Sequence, residues 1–189
     1  MAWNDEPQPV LTSPRLRLRP LSGADGPRVE ELAGAREIAD TTVRVPHPYP
    51  AGGGTAWIAT HGPRWREGSG AVFGLALPAS DELIGVVGLE VDAHANAAEL
   101  GYWLGVEYWN LGFMSEAAAA VIDFAFGVMG LNRVFAQHMT RNPASGRVME
   151  KAGMVPEGIQ RQAIRKWGVY EDLAMRSILR SEWEVRRIR

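Results

Sequence analysis

The sequence predicts an α+β fold, a mixed and mostly antiparallel sheet flanked by helices, in one domain spanning residues 1–189. Three observations predict it. Between residues 71 and 105, three strand-like runs follow one another with only short turns between them, the pattern of an antiparallel meander. Residues 113–129, "FMSEAAAAVIDFAFGVM", read as a long helix charged only at Glu116 and Asp123, so most of its circumference has to be buried. After it come a strand, a short helix and two closing strand-like runs, an order that mixes helices with sheet. The 189 residues suit one domain with a real core, and no internal repeat or low-complexity linker divides them.

Residues 1–11 read as a short N-terminal extension. "RLRLRPL" at 15–21 alternates Leu16 and Leu18 against Arg15, Arg17 and Arg19, the mark of a half-buried strand. Ser22, with Asp25 three residues on, opens a helix that closes near Gly34. "TTVRVPHPYPAGGGTAW" is rich in Pro and Gly and reads as an extended loop entering a short helix around Trp57 and Ile58. "AVFGLALP" and "ELIGVVGLEV" form two strands joined by "ASD", and "DAHANA" turns the chain into a third, "AELGYWLG" at 98–105. Gly130 stops the long helix, and "NRVFAQHM" supplies the next strand. "NPASGRVMEKAG" forms a short helix with Pro143 in its first turn and Gly153 beyond its end. "IQRQAIRKW" and "EDLAMRSILR" close the chain around a turn at Gly168.

Composition excludes several functions. The formal net charge is −2, and no basic stripe with interleaved aromatics marks a nucleic-acid binder. The C-terminal "EVRRIR" reads as a solvated end. No apolar run has membrane-spanning length, and "MAWNDEPQPV" lacks the basic and apolar regions of a secretory signal. The expectation is a soluble, cytoplasmic protein with neither nucleic-acid nor membrane partners. There is no cysteine, which removes disulfides, thiolate metal sites and acyl-cysteine intermediates. His47, His61, His94 and His138 lie too far apart for a ligand pattern, so no metal is expected.

The stretch "GVEYWNLGFMSEAAAAVIDFAF" at 105–126 carries the functional signal. It places Gly112 and the small Ser115 at the mouth of the long helix. The first N–H groups of a helix have no internal partners and carry partial positive charge, so this mouth invites an anion. A Walker loop is absent: "GGGTAW" at 52–57 has glycines but no Lys and reads as a flexible loop. The glycine pattern does not fit a dinucleotide-binding fingerprint either.

"YWNLGFMSEAA" resembles the pyrophosphate loop of the GNAT N-acetyltransferases, Q/R-x-x-G-x-G/A between a strand and a helix. It is closer still to the RimJ/RimL-like branch, related to ribosomal-protein N-terminal acetyltransferases. There the loop usually runs Tyr-Trp-Gly-x-Gly-Tyr/Phe-Met/Ala-Thr/Ser-Glu-Ala. The match holds at Tyr108, Trp109, Gly112, Phe113, Met114, Ser115, Glu116 and Ala117. It departs at Asn110, where the branch commonly has Gly; Asn tolerates left-handed backbone angles better than most residues. The blocks "SPRLRLRPL", "VPHPYP", "ELIGVVGLE", "AELGYWLG", "GLNRVFAQHMTRNPASGRVMEKAGMVPEG" and "YEDLAMRSILRSEW" resemble that branch in the same order, from about residue 12 to 183.

The resemblance implies a GNAT-type domain whose sheet splays open at the cofactor site. It implies acetyl-CoA as co-substrate, its pyrophosphate held by backbone amides of Leu111, Gly112, Phe113, Met114 and Ser115. Main-chain groups of Tyr102, Trp103 and Leu104 would take the pantetheine arm, and the Asn142 side chain its amide. Glu99 is the candidate base, against a structural role bonding a neighbouring element; Glu90 and Asp92 are lesser alternatives. Ser145 is the candidate to protonate or hydrogen-bond the departing thiolate, against a role as helix cap, for which Asn142 is better placed. The implied reaction is transfer of an acetyl group to a primary amine by direct attack in a ternary complex. The acceptor is a protein N-terminus or a small amine; an α-amino group, with a pKa of about 8, asks less of a base than a lysine. The alternative is a non-catalytic acetyl-CoA-binding sensor. Relatives suggest a homodimer. Trp57, Trp65, Trp103, Trp109 and Trp167 read individually as packing residues, with His47, Tyr49 and Trp167 as secondary acceptor-side candidates.

Overall fold

A computed structural model describes residues 3–188 of the chain. Its strands are β1 (Leu11–Thr12), β2 (Arg17–Arg19), β3 (Gly70–Ala76), β4 (Leu83–Asp92), β5 (Ala97–Leu104), β6 (Arg133–Met139), β7 (Val155–Lys166) and β8 (Val169–Leu179). Its helices are α1 (Gly26–Ala33), α2 (Arg36–Thr41), α3 (Gly53–Ala59), α4 (His61–Arg66), α5 (Phe113–Gly127), α6 (Pro143–Lys151) and α7 (Arg180–Arg187). The strands make one eight-stranded sheet in the order β1-β2-β3-β4-β5-β6-β8-β7. Every neighbouring pair is antiparallel except β5 with β6. The α+β class and the mixed sheet are as the sequence predicts.

The parallel pair is short. β5 and β6 match only at Ala97↔Arg133, Ala98↔Val134 and Glu99↔Phe135. Beyond Glu99 each strand stays paired on its outer side, β5 to β4 as far as Leu104 and β6 to β8 as far as Met139. The sheet therefore divides into two wings past Glu99, which is the splay that the resemblance implies.

Alternation along the strands feeds two cores. Phe73, Leu75, Val87, Leu89, Ala98 and Leu100 face α5, which buries Ala117, Ala118, Val121, Ile122, Phe124 and Ala125 against them. The alanines let the helix lie close to the sheet, and Phe124 meets Phe73 edge-on at 5.5 Å. Leu83, Val86 and Trp103 belong to a second cluster with Val29 and Leu32 of α1 and Ile58 of α3.

Several elements lie outside the sequence expectations. The strand expected over 15–21 shortens to Arg17–Arg19 because Arg15 leaves the sheet for α5. The N-terminal extension is tied down: the Trp65 indole donates to the Glu6 carbonyl at 2.8 Å, Gln8 donates to the Val72 carbonyl at 2.8 Å, and Trp3 packs edge-on to Trp65 at 4.8 Å. Helices α2 and α4 are too short to show a period. The basic tail "EVRRIR" is exposed over residues 184–188, as a solvated end should be. Its first four residues nevertheless complete a helix the sequence did not announce, α7, docked through the preceding Trp183, which packs on Phe126 and donates its indole N–H to Asp123 Oδ1 at 2.5 Å. A single buried aromatic on an otherwise polar helix leaves no amphipathic stripe to read.

Glu116 joins the first strands to the start of α5. It accepts hydrogen bonds from Ser13 Oγ at 2.7 Å, the Arg15 amide at 2.8 Å and Arg15 Nε at 2.8 Å. Desolvation raises its carboxyl, and these donors outweigh that and hold it below the ordinary carboxylate range. A depressed folded-state pKa means that the stabilisation is whole above the unfolded value and is lost as pH falls through the folded one. Glu116→Gln is expected to lose about 2 kcal/mol of stability at pH 7. Urea-unfolding midpoints should show the gap to the wild type closing as pH falls below about 5.

Candidate functional site

The turn before α5 reverses the chain with two left-handed residues, Asn110 at φ +63° and Gly112 at φ +82°. Asn110 takes the positive φ that asparagine tolerates better than most residues, and Gly112 occupies the helix N-cap. The first intrahelical bond is the one Glu116 N–H gives to the Gly112 carbonyl at 3.2 Å. The N–H groups of Phe113, Met114 and Ser115 precede it, and no side chain caps them. Arg15 braces the turn from behind, donating to the Leu111 carbonyl at 3.0 Å and lying over the Phe113 ring at 4.7 Å.

This mouth opens on a cavity of about 520 Å³, lined by Asn110 to Gly112, Met114 and Ser115 from the loop side and by Tyr102, Trp103 and Leu104 from β5. Asn142 and Ser145 of the α6 turn close it, with Arg147 and Lys151 further along that helix. The sheet edge of β5 past Glu99 has no strand beside it. The Leu104 carbonyl is already engaged, because the Trp109 indole donates to it at 2.7 Å. Trp109 is 37 % exposed and Trp167 47 % exposed. Neither is the packing residue expected; Trp109 anchors the loop to β5 through its polar edge. Trp65 and Trp103 are buried as expected.

At the first turn of α6, Asn142 Oδ1 accepts from the Ser145 N–H at 3.2 Å, so the asparagine is the cap and the Ser145 hydroxyl is free of that task. Ser145 Oγ instead lies 2.9 Å from Tyr102 Oη, across the gap between the wings. Burial pushes the Tyr102 phenol up to about 12, against the Ser145 hydrogen bond, which lowers it.

On the other side of this contact lies a second cavity of about 460 Å³, with Arg44, Tyr49, Trp57, Glu90, Glu99 and Gln137 in its wall. Tyr102, Trp103 and Ser145 belong to both cavities. Glu99 sits where the split begins. Its Oε1 accepts from Gln137 of β6 at 2.9 Å and its Oε2 from Arg44 at 3.3 Å. Glu90, directly opposite Glu99 on β4, shares the Arg44 guanidinium, whose hydrogen bond holds the Glu90 carboxyl below its usual range against partial burial. Asp92 accepts from the His94 and Ala95 amides and serves the turn. Tyr49 lines the cavity, whereas His47 bonds the Gly34 carbonyl at 3.1 Å and approaches Trp167 outside it.

The structure thus gathers Ser145, Tyr102, Trp103, Leu104, Asn142, Leu111, Gly112, Met114 and Ser115 around one cavity and Glu99 on the adjoining one. The Phe113 ring lines neither and packs on the core beneath Arg15. Arg44, Gln137 and Arg15 are the participants that sequence reasoning missed. Arg44 lies in an irregular loop with no pattern, and Gln137 meets Glu99 only through the parallel pairing.

A sheet split between parallel strands, facing the uncapped N-terminus of a buried helix, defines an acyltransferase-type α+β fold. The chain belongs to the GNAT family of acetyl-CoA-dependent N-acetyltransferases: residues 15–155 match the acetyltransferase (GNAT) domain. It is 39 % identical over 114 residues to "Probable N-acetyltransferase YjcK" of Bacillus subtilis, a match covering 59 % of this chain and 63 % of the relative. It is 29 % identical over 142 residues to the ribosomal protein uS5-alanine N-acetyltransferase of Escherichia coli, covering 72 % and 71 % of the two chains. The spermidine N-acetyltransferase of Vibrio cholerae, solved with CoA and spermine, shares the fold at a TM-score of 0.79 and 22 % identity, over 91 % of this chain and 99 % of that one. Among the described residues no helix is long and apolar enough to cross a membrane.

The left-handed turn is testable by itself. Asn110→Gly is expected to leave urea stability unchanged or slightly raised, whereas Asn110→Val should lower it by about 1–2 kcal/mol because a β-branched side chain does not tolerate positive φ.

Proposed function

We propose that this protein transfers the acetyl group of acetyl-CoA to a primary amine by direct attack in a ternary complex. The observation that carries the reading is the meeting of two cavities at Tyr102 and Ser145, one under the helix mouth and one beside Glu99. Two adjoining spaces that share Thr41, Thr42, Tyr102, Trp103 and Ser145 in their walls let a donor and an acceptor meet, and such positioning supplies much of the rate in a bimolecular transfer. The absence of cysteine agrees with direct attack rather than an acyl-cysteine intermediate.

The residues fit the co-substrate. The uncapped amides of 113–115, with Leu111 and Gly112 leading into them, suit a pyrophosphate. The unpaired edge of β5 at Tyr102, whose neighbour Trp103 turns its main chain to β4, suits a pantetheine amide as an added strand would. Asn142 keeps its Nδ2 without a partner among the described residues. Acetyl-CoA supplies the activated thioester. Ser145 donates a hydrogen bond to the departing sulfur, and Glu99 receives a proton from the acceptor amine once Arg44 yields its oxygen. The acceptor is a protein N-terminus or a small amine, a range spanned by the uS5-alanine and spermidine enzymes among the similar proteins. The ion pair on Glu99 favours one second reading, an acetyl-CoA-binding sensor without turnover.

Calorimetric titration should show micromolar binding of acetyl-CoA and none of ATP; failure to bind acetyl-CoA overturns the proposal. With peptide N-termini and polyamines as acceptors, binding without acetylation of any of them supports the sensor. Glu99→Gln is expected to lower kcat about a hundredfold while leaving acetyl-CoA affinity unchanged, read by steady-state kinetics beside the same titration.

A further inference from the structure

Tyr102 and Ser145 pose a question of proton count. The Tyr102 hydroxyl stands 3.0 Å from the Ser145 carbonyl oxygen and 2.9 Å from Ser145 Oγ, and it has one proton to give. If it donates to the carbonyl, the Ser145 hydroxyl spends its own proton on Tyr102 Oη. If it donates to Oγ, the Ser145 proton is released toward a third group. The carbonyl is not stranded in the second arrangement, because it lies in the first turn of α6 and an α-helix supplies it with the N–H four residues on.

Resting on the reading of Ser145 as the group that meets the departing thiolate, we infer that Tyr102 is a positioning residue that switches Ser145 between these two hydrogen-bonded arrangements. With the thioester intact, Tyr102 donates to the Ser145 carbonyl. As negative charge gathers on sulfur, Tyr102 turns its proton to Ser145 Oγ, and the Ser145 hydroxyl donates to the sulfur. No covalent bond to either hydroxyl breaks: hydrogen bonds change partner, and the thiol proton of free coenzyme A derives from the attacking amine, as the balance of amine plus thioester to amide plus thiol requires.

Three features make the pair suited to this. Burial keeps the phenol protonated across working pH, so Tyr102 is a donor and never a second anion beside the thiolate. Asn142 has taken over the capping bond, which leaves Ser145 Oγ to Tyr102 and the sulfur. Gly146 seats α6 tightly on β6, since a Cβ there would come within 2.7 Å of His138 Nε2, and the neighbouring Ser145 is placed with it.

The test needs no acceptor. The thiolate absorbance of protein-bound free coenzyme A is titrated against pH for the wild type, Ser145→Ala, Tyr102→Phe and the double variant, with protein-only titrations subtracted. Glu90, Glu99, Arg44, Arg64 and His138 on one side, and Arg147 and Lys151 on the other, face the two cavities and are common to all four proteins. The bound thiol of the wild type should ionise below that of free coenzyme A. Ser145→Ala should raise it by about one pH unit, Tyr102→Phe should raise it comparably, and the double variant should go no further than Ser145→Ala. A wild-type thiol pKa in Tyr102→Phe, or additive shifts in the double variant, overturns the switch while leaving the role of Ser145 standing. No shift in Ser145→Ala, no depression in the wild type, or no binding of coenzyme A overturns both.

Discussion

The parallel contact between β5 and β6 ends after Glu99↔Phe135, and the arrangement of the site follows from where it ends. Had the two strands stayed paired to Leu104 and Met139, their backbone groups would satisfy each other and no gap would exist. Because they part, the inner edge of β5 has to find other partners, and one is already visible in the Trp109 indole on the Leu104 carbonyl. The gap is bridged by a side-chain contact, Tyr102 to Ser145, at the point where the two cavities touch. Each wing is held on its outer side by a full antiparallel partner; one apolar cluster runs under both wings, and a second covers the other face of β4 and β5.

The helix mouth is rigid for a different reason. An uncapped N-terminus facing a cavity is an unsatisfied end, and its position depends on what lies behind it. Glu116, one turn in, is gripped by Ser13 and Arg15, and Arg15 reaches on to the Leu111 carbonyl. The free amides therefore sit on a clamp formed by chain about a hundred residues away in sequence. The long apolar body of α5 supplies the remaining restraint by burying Met114, Ala117, Ala118, Val121, Ile122 and Phe124 to Phe126.

Electrostatics shape the wall of the second cavity. Glu90 and Glu99 oppose each other on adjacent strands, a like-charge pair that is destabilising unless compensated. Arg44 compensates both, from an irregular segment itself held by the bond from Lys166 Nζ to the Val45 carbonyl at 3.1 Å. A guanidinium bridging two carboxylates in a cavity wall ties the charge balance of Glu90 and Glu99 to the position of one loop.

The features legible in the order of amino acids are local. The left-handed turn at Asn110 and Gly112, the buried helix after it, the meander before it and the Asn142 cap each depend on residues within a few positions of one another. Their patterns of period, cap and turn residue are legible without knowing what they touch, and the family resemblance rests on these same blocks. Tertiary structure decided everything that required distant segments to meet: where the parallel pairing stops, Gln137 and Arg44 on Glu99, Arg15 behind the loop, Tyr102 against Ser145, and the docking of the polar C-terminal helix through Trp183. The physical reason is range. Backbone preference and hydrophobic period act over a few residues and leave a trace in the order of amino acids. A hydrogen bond between residues 43 positions apart, as between Tyr102 and Ser145, leaves none until the chain has folded.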